Sequence, residues 1–334
     1  MPHAQSSLQQ IARLCLRFSY WLSAITFGIT LLLMVGLLSS CASAPATPHT
    51  VRYIGLKVYD PVYIAQAQGF FAQHELDVQI LDLVAGGPTA LQAIAAGQAE
   101  AGLSSIPAII NANQANLPIL GVADIQSILP NQALKQWYVR ADSSIAQPSD
   151  LRGKKIAVNL VRSSFDYSLD LLLDQAGLQR SDVEVVLLPF DQQGTALLSG
   201  HVDMIGLLAP YTGQLEARAG AQVRVLLDGH AVFGPQRQIS QIVVNRTWAA
   251  AQPETARRFV AALAEACDWA NAHPNEARQI IAAATGVEAE AIPDYAFAPG
   301  GRVSVEDVAW WMEVLRRRGD LSSTTLRAEQ LVWN

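Results

Sequence analysis

The chain has 334 residues, of which 51% are hydrophobic, 16% charged and 7% aromatic, with 22 glycines and 16 prolines. This mixture excludes a disordered, collagen-like or coiled-coil chain and leaves enough apolar surface for one large domain or two ordinary lobes. A net charge of -6 argues against the basic footprint that non-specific nucleic-acid binding requires, and three cysteines are too few for a disulfide framework.

The first forty residues read as an address. Arg13 and Arg17 precede an apolar run from Phe18 to Leu38, and no acidic residue falls within 1–40. Positive charge ahead of an apolar core is the layout of an export signal. The run ends in Leu38-Ser39-Ser40-Cys41, followed by small residues with Pro45 and Pro48, which resembles a bacterial lipobox. It predicts a lipoprotein signal peptide over 1–40, lipidation of Cys41, and a flexible tether over 41–50. The same run is long enough to span a bilayer, so an uncleaved anchor helix is the alternative. Cleavage also removes Cys15, which leaves Cys267 as the one thiol of the folded body. Its helix-like apolar face predicts a buried structural cysteine.

Two copies of one plan follow in chain order. The β-branched run Val51–Val58 predicts a strand, ended by the turn Tyr59-Asp60-Pro61. A short helix at Tyr63–Gln68 is stopped by Gly69, and a strand follows at Leu76–Leu83. Pro88–Ala96 predicts a helix ending at Gly97, and Ala99–Leu103 a third strand. In the later half Lys155–Asn159 is a strand, Ser163–Gln175 a helix stopped by Gly177, and Val183–Leu188 a strand. Gln192–Leu198 is then a helix ending at Gly200, and Val202–Leu207 a strand. The echo is sharpest where each helix stops at Gly97 or Gly200 and an acid, Glu100 or Asp203, stands three residues on. Strand–helix–strand–helix–strand twice predicts an α/β protein with two parallel-sheet lobes.

The connections place lobe 1 at 51–145 with 235–334, and lobe 2 at 146–234. Arg140–Arg152 is a polar linker with Pro148, and the return falls within Val225–Gln238, before a strand at Ile239–Asn245. The remainder reads as helices at Pro253–His273, Pro274–Ala284 and Ser304–Arg317, the last opened by the cap pattern Ser304-Val-Glu-Asp307. Two crossings between two lobes make a hinge with a cleft. Ligands of open α/β sheets lie outside the carboxyl ends of the strands, so both lobes should turn their strand-to-helix loops towards it.

Those loops contain no G-x-S-x-G elbow, phosphate loop, H-E-x-x-H or C-x-x-C, and the histidines show no ligand spacing. No metal, cofactor or catalytic activity is therefore expected. Gly86-Gly87-Pro88-Thr89 offers either a turn or backbone N–H groups at a helix start. The other loops hold hydroxyls, aromatics, the carboxylates Asp60 and Asp166, and two arginines. Aromatic faces with a few hydrogen-bonding groups suit a flat organic ligand, and the carboxylates favour a neutral or weakly basic heterocycle. The plainer alternative is that Asp60 caps a turn and Asp166 sits in the first turn of a helix.

Several segments together are similar to the ATP-driven importer receptors of the thiamine-pyrimidine, riboflavin, alkanesulfonate, taurine and nitrate group. They are Tyr63-Ile-Ala-Gln-Ala-Gln-Gly69-Phe-Phe-Ala-Gln-His-Glu-Leu-Asp77, Ala90–Gly97 with Glu100-Ala-Gly102, and Asp150-Leu-Arg-Gly153-Lys-Lys-Ile-Ala-Val158. Ala196–Asp203 with Pro210, and the helix from Pro253 through Pro274-Asn-Glu276, complete the set. The resemblance implies a two-lobed periplasmic-binding-protein-like fold of type II. It implies an extracytoplasmic, lipid-anchored and monomeric receptor that hands a small solute to a membrane permease with a cytoplasmic ATPase. Tyr59, Asp60, Gly87, Ser105, Ser163, Ser164, Asp166 and Tyr211 fall in the group's ligand loops.

Two departures bear on the ligand. Sulfonate and taurine receptors often carry a tryptophan where this chain has Ala209, and their serine-rich loop opens with glycine where this chain has Arg162. Riboflavin or a thiamine pyrimidine is therefore the expected ligand, with an alkanesulfonate, taurine or nitrate as the alternative. A pyrimidine-making enzyme of the same fold would need clustered cysteines with histidine, and only Cys267 is available. A sensor that binds the same solute but signals is the remaining rival.

Overall fold

A computed structural model describes residues 49–81, 84, 86–128, 135–234 and 236–333. The expected leader, Cys41 and all but the end of the tether lie outside the described residues. Two five-stranded sheets organise the remainder. The first contains β1 (His49–Ile54), β2 (Leu76–Ile80), β3 (Ala101–Ser105), β4 (Ile119–Ile128) and β10 (Arg237–Asn245), in the order β2-β1-β3-β10-β4. The second contains β5 (Lys135–Arg140), β6 (Lys155–Val158), β7 (Glu184–Leu187), β8 (Met204–Leu208) and β9 (Val223–Asp228), in the order β7-β6-β8-β5-β9.

The two orders are the same arrangement. In each sheet three parallel strands come from one αβ run, and the fourth strand is antiparallel. That fourth strand comes from across a crossing: β5 enters the second sheet after β4, and β10 returns to the first after β9. Lys135–Arg140 therefore belongs with the second lobe, not with the 51–145 stretch assigned to the first. Its buried Trp137, Tyr138 and Val139 pack wherever β8 and β9 receive them, and an apolar strand does not announce its sheet.

The Gly–acid echo has a physical basis. Gly97 and Gly200 adopt left-handed φ values of 73° and 74°, which glycine reaches without a Cβ penalty. Glu100 then accepts the backbone N–H of Arg52 at 2.8 Å and donates its own N–H to the Arg52 carbonyl at 3.0 Å. Asp203 makes the same reciprocal pair with Lys155, at 2.8 and 2.7 Å. Each acid thus ties the start of the third strand to the first strand of its own sheet.

Twelve helices among the described residues cover the sheets: α1 (Pro61–Gln68), α2 (Phe70–Gln73), α3 (Gly87–Ala95), α4 (Ile106–Gln114), α5 (Ser164–Gln175), α6 (Phe190–Leu198), α7 (Tyr211–Ala219), α8 (Gly229–Phe233), α9 (Arg246–Ala251), α10 (Pro253–Ala272), α11 (Pro274–Thr285) and α12 (Val305–Arg318). Helix α10 packs on α1 and buries Phe259, Leu263 and Cys267 completely. Cys267 is a free, buried thiol, as its apolar face predicts. Ser304 caps α12 by accepting from the Asp307 N–H at 3.1 Å, and Gly319 ends it in the left-handed region. Trp311 of α12 is fully buried, and its indole N–H reaches the Gln238 carbonyl at 2.9 Å. Strand β1 ends at Ile54, short of Val58, because the chain turns and the Val58 N–H bonds to the Leu56 carbonyl.

Candidate functional site

The strand order turns the starts of four helices towards one place. Gly87 and Pro88 at the start of α3, Ser104 and Ser105 ahead of α4, Ser163 and Ser164 at α5, and Phe190 at α6 line one cavity of ≈ 40 Å³. Leu56, Val58, Leu103, Ile125 and Ser240 complete it from the first lobe, and Asn159 and Leu208 from the second. The cavity thus sits between the lobes. Four of the eight ligand positions suggested by the sequence, Gly87, Ser105, Ser163 and Ser164, meet in it.

Two of its hydroxyls are unspent. Ser104 and Ser105 are 1% and 8% exposed, and neither Oγ has a hydrogen-bond partner. Such groups cost free energy unless something polar enters beside them. Ser163 is committed: its Oγ accepts from the Asp166 N–H at 3.3 Å as the cap of α5 and donates to Asn159 Oδ1 at 2.8 Å. Ser164 Oγ accepts from Lys135 Nζ at 2.7 Å. A side chain at position 87 would strike Ser104, so glycine lets the α3 start approach β3.

A wider groove of ≈ 570 Å³ forms the mouth. Leu56, Lys57 and Val84 line it from one lobe, joined by Thr285, Gly286 and Val287. Pro189 to Gln192, Tyr211 and Arg218 face them from the other. Leu56 and Phe190 are common to mouth and cavity. Tyr211 lies with its ring 5.4 Å from that of Phe190, so the mouth carries a tilted aromatic pair.

The lobes are drawn together. A Cβ at Gly86 would overlap Leu160 of the second lobe, and a Cβ at Gly213 of α7 would overlap the Ala291 carbonyl. Ion pairs add to the closure on another side: Arg318, at the end of α12, reaches Asp166 at 3.2 Å and Asp170 at 2.5 Å on α5. Asp320 accepts from Tyr167 at 2.9 Å, and the same hydroxyl accepts from Asn111 of α4 at 2.8 Å.

Three further positions suggested by the sequence are committed elsewhere. Asp60 is fully buried; it caps α1 by accepting from the Val62 N–H at 2.9 Å, and accepts from Tyr53 Oη at 2.5 Å. Burial raises its carboxyl to about 6, against the lowering effect of those two bonds. The Tyr59 ring stacks on Tyr295 with centroids 4.2 Å apart. Asp166 is fully buried under Arg180 and Arg318 and also accepts the Arg162 N–H. Arg162 itself holds φ = 60°, in the left-handed region that residues other than glycine seldom adopt. Neither carboxylate lines the cavity, so the plainer of the two sequence readings describes both.

Two residues were not among the expected ligand positions. Ser104 neighbours Ser105 but faces the α3 start, and Lys135 stands at the head of a strand that carried no assignment. The one signal for Lys135 was a lone cation within an otherwise uncharged run from 129 to 139.

Two α/β lobes of the same strand order, joined by two crossings around a shared cavity, define the periplasmic-binding-protein-like fold of type II. The model of the NMT1/THI5-like family matches residues 58–277, and the chain belongs to that family. A putative binding protein of Brucella abortus is 29% identical over 236 residues, covering 69% of each chain. The periplasmic aliphatic sulphonate binding protein SsuA from Escherichia coli superposes with a TM-score of 0.69 at 21% identity, covering 86% of this chain and 92% of that one. The periplasmic nitrate-binding protein NrtA from Synechocystis gives 0.69 at 16% identity, covering 83% of both.

Proposed function

We propose that the chain is the extracytoplasmic receptor of an ABC importer, which closes on a small organic solute and presents it, unaltered, to a permease. The observation that carries this is the shared cavity: Ser104 and Ser105 of one lobe face Ser163 and Ser164 of the other, and two of these hydroxyls have no partner. A solute touching both lobes stabilises the closed form by the contacts it makes only there, and the permease reads that form. The Brucella, Escherichia and Synechocystis proteins, described as binding proteins, support the same reading. The lipid anchor at Cys41 belongs to this proposal and keeps the receptor beside its permease.

For the solute, a riboflavin- or thiamine-pyrimidine-like heterocycle is supported by Phe190 and Tyr211 in the mouth, where a flat ring finds an aromatic face. An oxyanion-bearing solute such as a sulfonate is the second reading. The serines and the converging starts of α3, α4, α5 and α6 favour it, because helix N-termini carry partial positive charge. A thermal-shift panel of flavins, pyrimidines, sulfonates and nitrate, followed by calorimetry and mass spectrometry of the recovered solute, tests the proposal. One class should stabilise the protein and be recovered intact. A solute recovered chemically changed would overturn it in favour of an enzyme.

A further inference from the structure

Outside the solute cleft the two lobes leave a second gap. Elsewhere their surfaces meet so closely that a methyl group at Gly86 or Gly213 would overlap the facing lobe. Between α5 and the last turns of α12, however, a pocket of ≈ 530 Å³ stays open, a volume that holds a small organic molecule. Leu171, Leu173 and Leu178 of the second lobe and Val314 of the first give it apolar walls. Three of its charges are spent. Asp170, Arg180 and Arg318 are tied, together with the fully buried Asp166, into a network of two guanidiniums and two carboxylates.

Two charges are not spent. Asp174 stands one turn beyond Asp170 on the same face of α5, and Arg317 precedes Arg318 on α12; both are exposed and both line the pocket. Among the described residues neither makes a hydrogen bond or an ion pair, so they do not meet each other across the gap. The second lobe thus offers a free carboxylate and the first a free guanidinium, beside leucine and valine side chains. A simple ion answers one of these groups and leaves the other, and an uncharged apolar molecule answers neither. We propose that the pocket is a second ligand site, which takes a small zwitterion with an aliphatic body. Its ammonium pairs with Asp174, and its carboxylate with the Arg317 guanidinium, whose planar fork suits two oxygens. The walls belong to different lobes, so occupancy holds the lobes in this relation and favours closure of the cleft on its own solute. The site goes beyond the receptor reading and does not depend on what the cleft binds.

The test uses the full chain in detergent. L-leucine and 6-aminohexanoate, each at about 10 mM and at equal ionic strength, are compared with glycine, hexanoate and hexylamine. At least one of the two aliphatic zwitterions should raise the Tm of the wild type by about 1–3 °C, and the three controls should not. Asp174→Asn and Arg317→Gln change exposed, unpaired side chains, so both variants should fold as the wild type does and lose the shift. Amide exchange at 104–107 and 163–168 should slow when that zwitterion is added to the wild type. No shift with either zwitterion, an equal shift with hexanoate or hexylamine, a shift that survives both substitutions, or unchanged exchange overturns the inference. A chain carrying Ser104→Ala with Ser105→Ala separates this pocket from the cleft: the shift should persist in it, and its loss would place the zwitterion in the cleft and overturn the inference. The receptor reading fails by a different result, conversion of the cleft solute, so either can fall without the other.

Discussion

Arg318, the last residue of α12, donates from Nη2 to Asp166 Oδ2 at 3.2 Å, joining the C-terminal helix of the first lobe to the first turn of α5 in the second. Arg180 closes on the other oxygen of the same buried carboxylate. A charge-assisted pair this well shielded acts as a latch between lobes. Replacing Arg318 by Met should leave Asp166 its Arg180 partner, lower stability by about 1–3 kcal/mol, and loosen the closed form. Amide exchange should then quicken at 104–107 and 163–168, the two rims of the cavity. Unchanged exchange there would mean that the pair holds only the α5–α12 contact.

Asp166→Ala should destabilise the empty protein by about 3 kcal/mol, since two guanidiniums lose a buried partner at once. Had Asp166 been a ligand contact, the same change would weaken binding and leave the melting temperature alone. Comparing Tm with affinity separates the two.

This contrast shows what could be read from the chain. Strand and helix order, the glycine stops and the Glu100/Asp203 echo depend on local periodicity and conformational freedom, so they were visible. The convergence of Gly87, Ser105, Ser163 and Ser164 on one cavity was legible too, because strand-to-helix loops in an α/β sheet point to one end. The partners of Asp60 and Asp166 were not. A carboxylate in a loop looks the same whether it faces solvent, a ligand or an arginine 152 residues further on. Strands β4 and β5 were missed for another reason. Both are buried on both faces, which removes the alternation that marks a half-exposed strand.

Gly213→Ala tests closure directly. Alanine favours the α7 helix by about 1 kcal/mol, so the variant should fold. Its Cβ would meet the Ala291 carbonyl across the lobes, however, and hold the cleft ajar. Affinity for whichever solute stabilises the wild type should fall about tenfold or more, with the empty Tm unchanged or raised. Undiminished affinity would show that closure tolerates the methyl group.

The Asp60 carboxyl has a defined pH signature. Its folded value of about 6 exceeds the ordinary aspartate value, so the folded chain holds this proton more tightly than the unfolded one. The resulting stability is complete below about pH 4 and is lost as pH rises through about 6. Asp60→Asn keeps a cap for the Val62 N–H and carries no charge. The wild type should therefore melt below Asp60→Asn at pH 8 and approach or exceed it at pH 4. A difference independent of pH would place the titration elsewhere.

Cys41→Ser tests the address. Lipidation at Cys41 predicts that the variant leaves the membrane fraction or stalls unprocessed, detected by fractionation and a mass shift. Retention in the membrane at unchanged mass would favour an uncleaved anchor helix.

The most direct measurement is a crystal structure of the protein grown with the solute that raises its Tm furthest. Density for the intact solute between the two sheets, within hydrogen-bonding distance of Ser104, Ser105 and Ser164, is the expected result. Density outside the cleft, or for a chemically altered product within it, would contradict the receptor reading.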